Sequence, residues 1–128
     1  MEKIIRAIRG ATTADVNEEE AISFATRELL EEMMNANELD EEDLVSILFT
    51  ATSDLNAAFP AKAAREIGLT DTPLMCSSEI SVPNSLEKCV RILMHVCMDA
   101  RKRKSDVIHV YMREAAKLRE DLFGRNKA

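Results

Sequence analysis

The sequence predicts an α+β fold, a five-stranded mixed β-sheet covered on one face by one long helix plus short helical turns. Three features lead there. From Ile22 to Met33 apolar residues recur at three- and four-residue steps, the stripe of an amphipathic helix. From Lys88 to Met98 they alternate at period two, as on a strand. The other apolar runs are short and bounded by Gly, Pro, Asn and Asp, which punctuate turns.

The elements follow in order. Lys3 to Arg9 alternates as a first strand, and Gly10 is expected to close it. Asn17 is placed to cap the next helix, with Glu18, Glu19 and Glu20 where the helix dipole favours anions and Glu20 completing a capping box. Ile22, Ala25, Leu29 and Met33, with Leu30 and Met34, form the buried stripe, while Glu28, Glu31 and Glu32 face water. A helix of about 18 residues cannot bury itself, so it must cover a sheet face. After an acidic turn from Asp40 to Asp43, Leu44 to Phe49 reads as a buried strand. Pro60 opens a short helix through Ala61, Ala63 and Ala64 that Gly68 stops, with Lys62 and Arg65 one turn apart. Thr72 to Cys76 is a brief strand, and Pro83-Asn84 is a turn. The strand from Lys88 to Met98 places Val90, Ile92, Met94, Val96 and Met98 on one face and Cys89, Arg91, Leu93, His95 and Cys97 on the other. Val107 to Met112 is the last strand, with His109 and Tyr111 on one face. The tail from Lys117 to Ala128 is charged, and its end, residues 120–128, is expected to be mobile. A single helical layer leaves the second sheet face uncovered, which points to oligomerisation through Leu93, Cys97 and their neighbours.

A chain of 128 residues fits a single domain, residues 1–128, without a separate cofactor-binding module. Aromatics make up only 4%, so the core must be built from Ile, Leu, Val, Ala and Met. A net charge of −6 argues against nucleic acid as a partner, and any anionic ligand needs a local cationic cluster. The odd count of three cysteines, with no CxxC spacing, favours a reducing cytoplasm over a disulfide framework. No apolar run approaches a membrane span, and no His or Cys spacing suits zinc.

No short motif here is diagnostic of catalysis alone. There is no phosphate loop, no nucleophile paired to a nearby His, and no carboxylate dyad. What stands out is a set of cations at the ends of elements, namely Arg9, Lys62, Arg65, Arg91 and Arg119, with Glu79 and Tyr111 as polar companions. By composition alone each Arg reads as an ordinary surface residue and Cys76 and Cys89 as small buried hydrophobes.

Six segments change that weighting. Ile8-Arg9-Gly10-Ala11-Thr12-Thr13 and the run from Thr50 through Phe59-Pro60-Ala61-Lys62-Ala63-Ala64-Arg65 resemble those of the monofunctional, trimeric α/β chorismate mutases. So do, in order and spacing, Pro73 to Glu79, Leu86 to Arg91, His109-Val110-Tyr111 and Ala116 to Arg119. The resemblance implies a homotrimer with a pseudo-α/β-barrel interior and active sites between subunits. Arg9, Cys76, Glu79, Cys89, Arg91, Tyr111 and Arg119 are then expected from one subunit, and Phe59, Lys62 and Arg65 from its neighbour.

The same resemblance implies the concerted [3,3] rearrangement of chorismate to prephenate, for the synthesis of aromatic amino acids. That reaction needs no cofactor, metal or nucleophile. It asks the protein to hold a compact substrate conformer and to stabilise negative charge growing on the ether oxygen. By resemblance Arg91 meets that oxygen, Arg9 and Tyr111 clamp the side-chain carboxylate, and Lys62 and Arg65 serve the other carboxylate. Glu79 accepts from the ring hydroxyl with Cys76 nearby, Phe59 and Cys89 are apolar wall, and Arg119 stands at the mouth. His95 and His109 are expected to be structural. Ser53, Asn84 and Glu120 stand where this family commonly has proline, glycine and proline, and Asn tolerates the positive φ a turn glycine supplies. The alternatives are a catalytically weak carboxylate-binding protein and an imine deaminase on a similar trimeric fold, the latter without need of Lys62 or Arg65.

Overall fold

The computed structural model describes residues 2–118; Arg119, Glu120 and the stretch expected to be mobile lie outside the described residues. The elements are β1 (Lys3–Thr13), α1 (Glu19–Ala36), β2 (Leu44–Ala51), α2 (Ala61–Glu66), β3 (Leu74–Ser78), β4 (Cys89–Asp99) and β5 (Val110–Tyr111), with 3₁₀ turns at Glu41–Asp43, Lys104–Asp106 and Arg113–Ala115. The five strands form one sheet in the order β3-β2-β4-β1-β5. β4 is central and antiparallel to both β1 and β2, while β3 and β5 run parallel to β2 and β1. The sheet is therefore mixed, as expected.

β4 shows the two faces its alternation predicts. Val90, Ile92, Met94, Val96 and Met98 are buried, and Ile92 to Met98 join Ile8, Phe49, Leu29, Leu30 and Met33 in the main core. On the opposite face, Arg91 is exposed and Leu93, His95 and Cys97 are half-buried. Ile5 of β1 and Met75 of β3, at 57% and 63% exposure, extend that open face as an apolar surface.

Four expectations need correction. Gly10 does not end β1, which runs on to Thr13. The glycine serves packing: a Cβ there would overlap the Met33 sulfur and press on the Leu29 side chain, so its absence lets α1 lie close against β1. Asn17 does not cap α1, since Glu18 is the capping residue and makes no side-chain cap bond. The Asn17 amide is committed elsewhere, accepting from the backbone N–H groups of Asn56 and Ala57 (3.0 Å each) and donating to Asn56 Oδ1 (2.7 Å). It ties the entry of α1 to the loop before α2.

β3 starts at Leu74 rather than Thr72, because Pro73 has no N–H for the ladder and only its carbonyl is used, by the Ile47 N–H (3.0 Å). β5 shrinks to two residues because side chains replace its ladder bonds. Asn37 brackets Ile108, donating to its carbonyl and accepting from its N–H (2.9 Å each), and His109 Nδ1 accepts the Arg9 N–H (2.9 Å). Gly68, expected as a stop, ends α2 at φ +91°, with Leu69 N–H on the Ala64 carbonyl and Gly68 N–H on that of Arg65, a Schellman closure.

Replacing Gly10 with Ala forces Met33 to repack inside a filled core, so Gly10→Ala should lower the unfolding free energy by about 1–3 kcal/mol. Urea titration followed by circular dichroism measures it.

Candidate active site

The register of the sheet decides which side chains meet. Arg91 on β4 stands opposite Thr50 on β2 and Ala11 on β1, and Ala11 in turn lies beside Tyr111 on β5. Directly opposed residues share a face, so Thr50, Arg91, Ala11 and Tyr111 form one row across the open side. The next row runs Leu48, Leu93, Arg9. Ala11 is the small member, and its missing bulk leaves room between the Arg91 and Tyr111 side chains. These rows line a cavity of about 560 Å³, together with Glu79 and Leu118. Four sequence-expected residues, Arg9, Glu79, Arg91 and Tyr111, thus share one cavity whose floor is Leu48, Leu93 and Ala11.

Glu79 follows β3 and is held by its backbone, the N–H donating to the Ala51 carbonyl at 3.0 Å. Its Oε1 accepts the Thr50 hydroxyl at 2.5 Å and faces Arg91 Nε at 3.4 Å. The carboxylate side is mostly buried, at 25% exposure, against 50% for the Arg91 side chain. The pair is therefore pinned from the Glu79 end and leaves the outer part of the guanidinium open to the cavity. Behind it, Cys89 is buried with Ala11 and Ala115, and Tyr111 and Leu118 pack on the same cluster. Burial pushes the Cys89 thiol above its ordinary pKa, against the charge of Arg91 and a hydrogen bond from it. Cys89 is thus a buried thiol packed beneath the cavity rather than one of its lining residues.

The other expected residues lie elsewhere on the chain. Phe59, Lys62 and Arg65 line a second concavity of about 650 Å³ formed by α2, the loop before it and the end of β3. Phe59 is 74% exposed. The Lys62 ammonium is paired with the Glu19 carboxylate, whose hydrogen bond and charge raise its pKa. Within one chain Cys76 lines this second concavity and not the cavity of Arg9, Glu79 and Arg91. The reason is register. Cys76 pairs with Phe49, which points into the core, so the cysteine shares that face and not the open one. Arg119 lies outside the described residues.

The sequence reading missed Thr50, Leu48, Leu93 and Leu118 as lining residues. Thr50 lies in a segment that carried the resemblance, but its role needs the register with Arg91 and the position of Glu79. The alternation of β4 put Leu93 on the Arg91 face, which was the available signal.

Chemically the first cavity offers two guanidinium groups, a phenol and an oriented carboxylate over an apolar floor. It suits a compact anion bearing a hydroxyl. It is poorly equipped for nucleophilic chemistry, because Cys89 is buried with a raised pKa. His109 Nδ1 is engaged by the backbone N–H of Arg9, and His95 Nδ1 lies 3.1 Å from the Ser46 hydroxyl. Among the described residues, no group of three His, Cys, Asp or Glu could hold a metal ion.

The family model for chorismate mutase type I matches residues 5–122. The chain is 46% identical over 120 residues to chorismate mutase AroH of Thermus thermophilus, covering 93% of this chain and 97% of that protein. It is 42% identical over 120 residues to chorismate mutase AroH of Bacillus subtilis, covering 93% of each. Among solved structures, a chorismate mutase from Clostridium thermocellum superposes with a TM-score of 0.84 at 53% identity, covering 88% of this chain and 98% of that one.

The burial and raised pKa of Cys89 generate a direct check. At pH 8 in native buffer Cys89 should stay unmodified by a thiol-specific disulfide reagent while Cys76, half-exposed beside the second concavity, reacts. Peptide mapping assigns the modified cysteine, and denaturation should release Cys89.

Proposed function

The chain belongs to the type I chorismate mutase family and is a chorismate mutase, and on that premise we propose which of its residues do the work and how copies of the chain complete the site. The observation that carries the reading is the convergence of Arg9, Glu79, Arg91 and Tyr111 on one cavity. No feature of the chain favours the weak binding protein or the imine deaminase over this activity.

Chorismate presents two carboxylates, an enolpyruvyl ether and a ring hydroxyl. Its rearrangement to prephenate breaks the ether C–O bond as a new C–C bond forms, in one concerted step. Charge separates along the breaking bond, leaving the ether oxygen more negative in the transition state than in the ground state. Arg91 supplies a guanidinium for that oxygen, so its attraction grows as the bond stretches, and that difference lowers the barrier. Arg9 and Tyr111 hold the side-chain carboxylate, and Glu79 takes the ring hydroxyl as a hydrogen-bond acceptor. Since Glu79 Oε1 is occupied by Thr50 and Arg91, Oε2 is the oxygen left for substrate. Together these contacts fix the compact conformer, turning a search through conformers into a poised reaction.

The second half-site is Phe59, Lys62 and Arg65, with Cys76. In a single chain it opens as a separate concavity from the first. We infer a homotrimer with a pseudo-α/β-barrel interior, in which this half-site closes over the cavity of the adjacent subunit and Lys62 and Arg65 meet the second carboxylate. The uncovered apolar face with Ile5, Leu48, Met75 and Leu93 supports it, because a surface of that kind is usually shared between subunits. The role that the resemblance gives Arg119 belongs to the same reading. So does a cytoplasmic location, supported by three free cysteines. Among the described residues no helix is long and apolar enough to cross a membrane.

Loss of chorismate absorbance measures the activity directly. Arg91→Ala should lower kcat by on the order of 10³ or more while the protein stays folded. Arg91→Lys should also fall well below the parent, since it keeps charge but loses the planar fork. A second experiment addresses the shared site. Arg91→Ala and Arg65→Ala chains, each impaired alone, should regain activity when unfolded and refolded together. Random assembly restores about a quarter of the sites if each draws on two subunits. Recovery no greater than the sum of the separate variants would place both residues in one chain's site.

A further inference from the structure

We propose that Asp54 is a positioning residue for Arg91: its carboxylate, acting with the Thr52 hydroxyl, fixes the backbone at Lys88 and Cys89 from which Arg91 is projected. The inference rests on the assignment of Arg91 as the electrostatic centre.

The start of β4 is an unusual place to anchor a critical side chain. Lys88, one residue before the strand, has φ +48°, in the left-handed region that a side chain with a Cβ rarely adopts. Such a conformation persists only where surrounding bonds over-determine it. Asp54 supplies them, both carboxylate oxygens accepting the Lys88 N–H at 2.9 and 3.1 Å. Lys88 is held on its other side too, its carbonyl accepting the Ala14 N–H at 2.9 Å.

Thr52 carries the hold into the strand. Its hydroxyl donates to Asp54 Oδ1 at 2.5 Å and accepts the Cys89 N–H at 3.0 Å, while its own N–H donates to the Cys89 carbonyl at 3.0 Å. Arg91 follows two residues later, opposite Thr50. Thr50 in β2 and Thr52 just past its end therefore set both members of the ion pair. Thr50 fixes the Glu79 carboxylate and Thr52, braced by Asp54, fixes the chain that bears Arg91.

Asp54 itself does not line the cavity of Arg9, Glu79 and Arg91, so any effect on turnover must be transmitted. Its carboxylate is kept ionised for the task. Burial pushes its pKa up, but the bonds from Thr52 and the Lys88 N–H outweigh this and hold it below its ordinary value. A long, half-exposed guanidinium transmits small errors at its base, and displacement by a fraction of an ångström at a transition-state donor costs rate more than binding.

The test compares Asp54→Ala and Asp54→Asn with the parent, reading kcat, KM, thermal midpoint, and the Ki of a bicyclic ether dicarboxylate that mimics the transition state. Asp54→Ala should lower kcat by about 10- to 100-fold and raise Ki in step, with KM little changed. Asp54→Asn keeps an acceptor for the Lys88 N–H and should recover part of the loss. If Asp54→Ala does not fold, Asp54→Asn and Thr52→Val are read by the same criteria. Folded variants whose kcat and Ki stay at parent values while only the thermal midpoint drops would overturn the proposal. So would a further full loss when Asp54→Ala is added to Arg91→Ala, since a group acting through Arg91 has nothing left to position there. If Arg91→Ala alone retained parent activity, the assignment of Arg91 would fail first, and the two failures are thereby told apart.

Discussion

The ion pair between Arg91 and Glu79 is the interaction on which the rest of the site depends. As a contribution to stability it is minor, because a half-exposed pair at 3.4 Å is worth about 0–1 kcal/mol once solvent screening and side-chain entropy are counted. Its value is geometric. The pair joins the central strand to the loop after β3, and the Thr50 hydroxyl joins both to β2. A guanidinium anchored at one edge keeps its remaining N–H groups oriented into the cavity before substrate arrives. Preorganisation of that kind avoids reorganising donors at the moment charge develops.

That geometry is possible because the sheet is one-sided. α1 buries Ile8, Phe49 and the even-numbered residues of β4, so those strands are fixed by core packing and cannot slip by one residue without turning their apolar set outward. The register is thereby locked, and with it the row Thr50, Arg91, Ala11, Tyr111 on the opposite side. Stability is concentrated on one face so that the other can carry cations and a cavity. Gly10 marks the closeness of that packing, since it is the absence of a Cβ that admits Met33 and Leu29 against the strand bearing Arg9.

How far the sequence could be read follows from the same division. The long helix and the two faces of β4 were legible because burial imposes periods of 3.6 and two. The left-handed turn at Asn84, φ +65°, was legible in kind, since Asn tolerates what a glycine would supply. Asn17 was misread because a capping motif is local, whereas the amide is used by a loop nearly forty residues later. β5 was overextended because nothing local signals that Asn37 and His109 take over its hydrogen bonds. The roles expected of Arg9, Glu79, Arg91 and Tyr111 come from the resemblance and not from pattern, since four polar residues at scattered positions carry no periodic signal. The place of Cys76 on the second concavity was not legible for a related reason: the pairing with Phe49 that sets its face cannot be seen in one segment.

The chain carries a net −6, yet its ligand is a dianion, so long-range attraction does not favour binding. Local cations must win at short range, where two unit charges at 4 Å interact by about 4 kcal/mol at an effective dielectric near 20. Arg9 and Arg91 bring two guanidinium groups into one cavity over an apolar floor. Lys62 is differently placed: Glu19 already holds its ammonium, so a substrate carboxylate must displace that partner or share it. Arg65 lies on the same short helix, exposed, three residues on. The division of labour follows from these partners. In the proposed mechanism the Arg91 side builds the transition-state field, while the α2 side meets a carboxylate by exchanging one anion for another. That exchange gains little net energy, so its contribution is to orient the substrate rather than to draw it in.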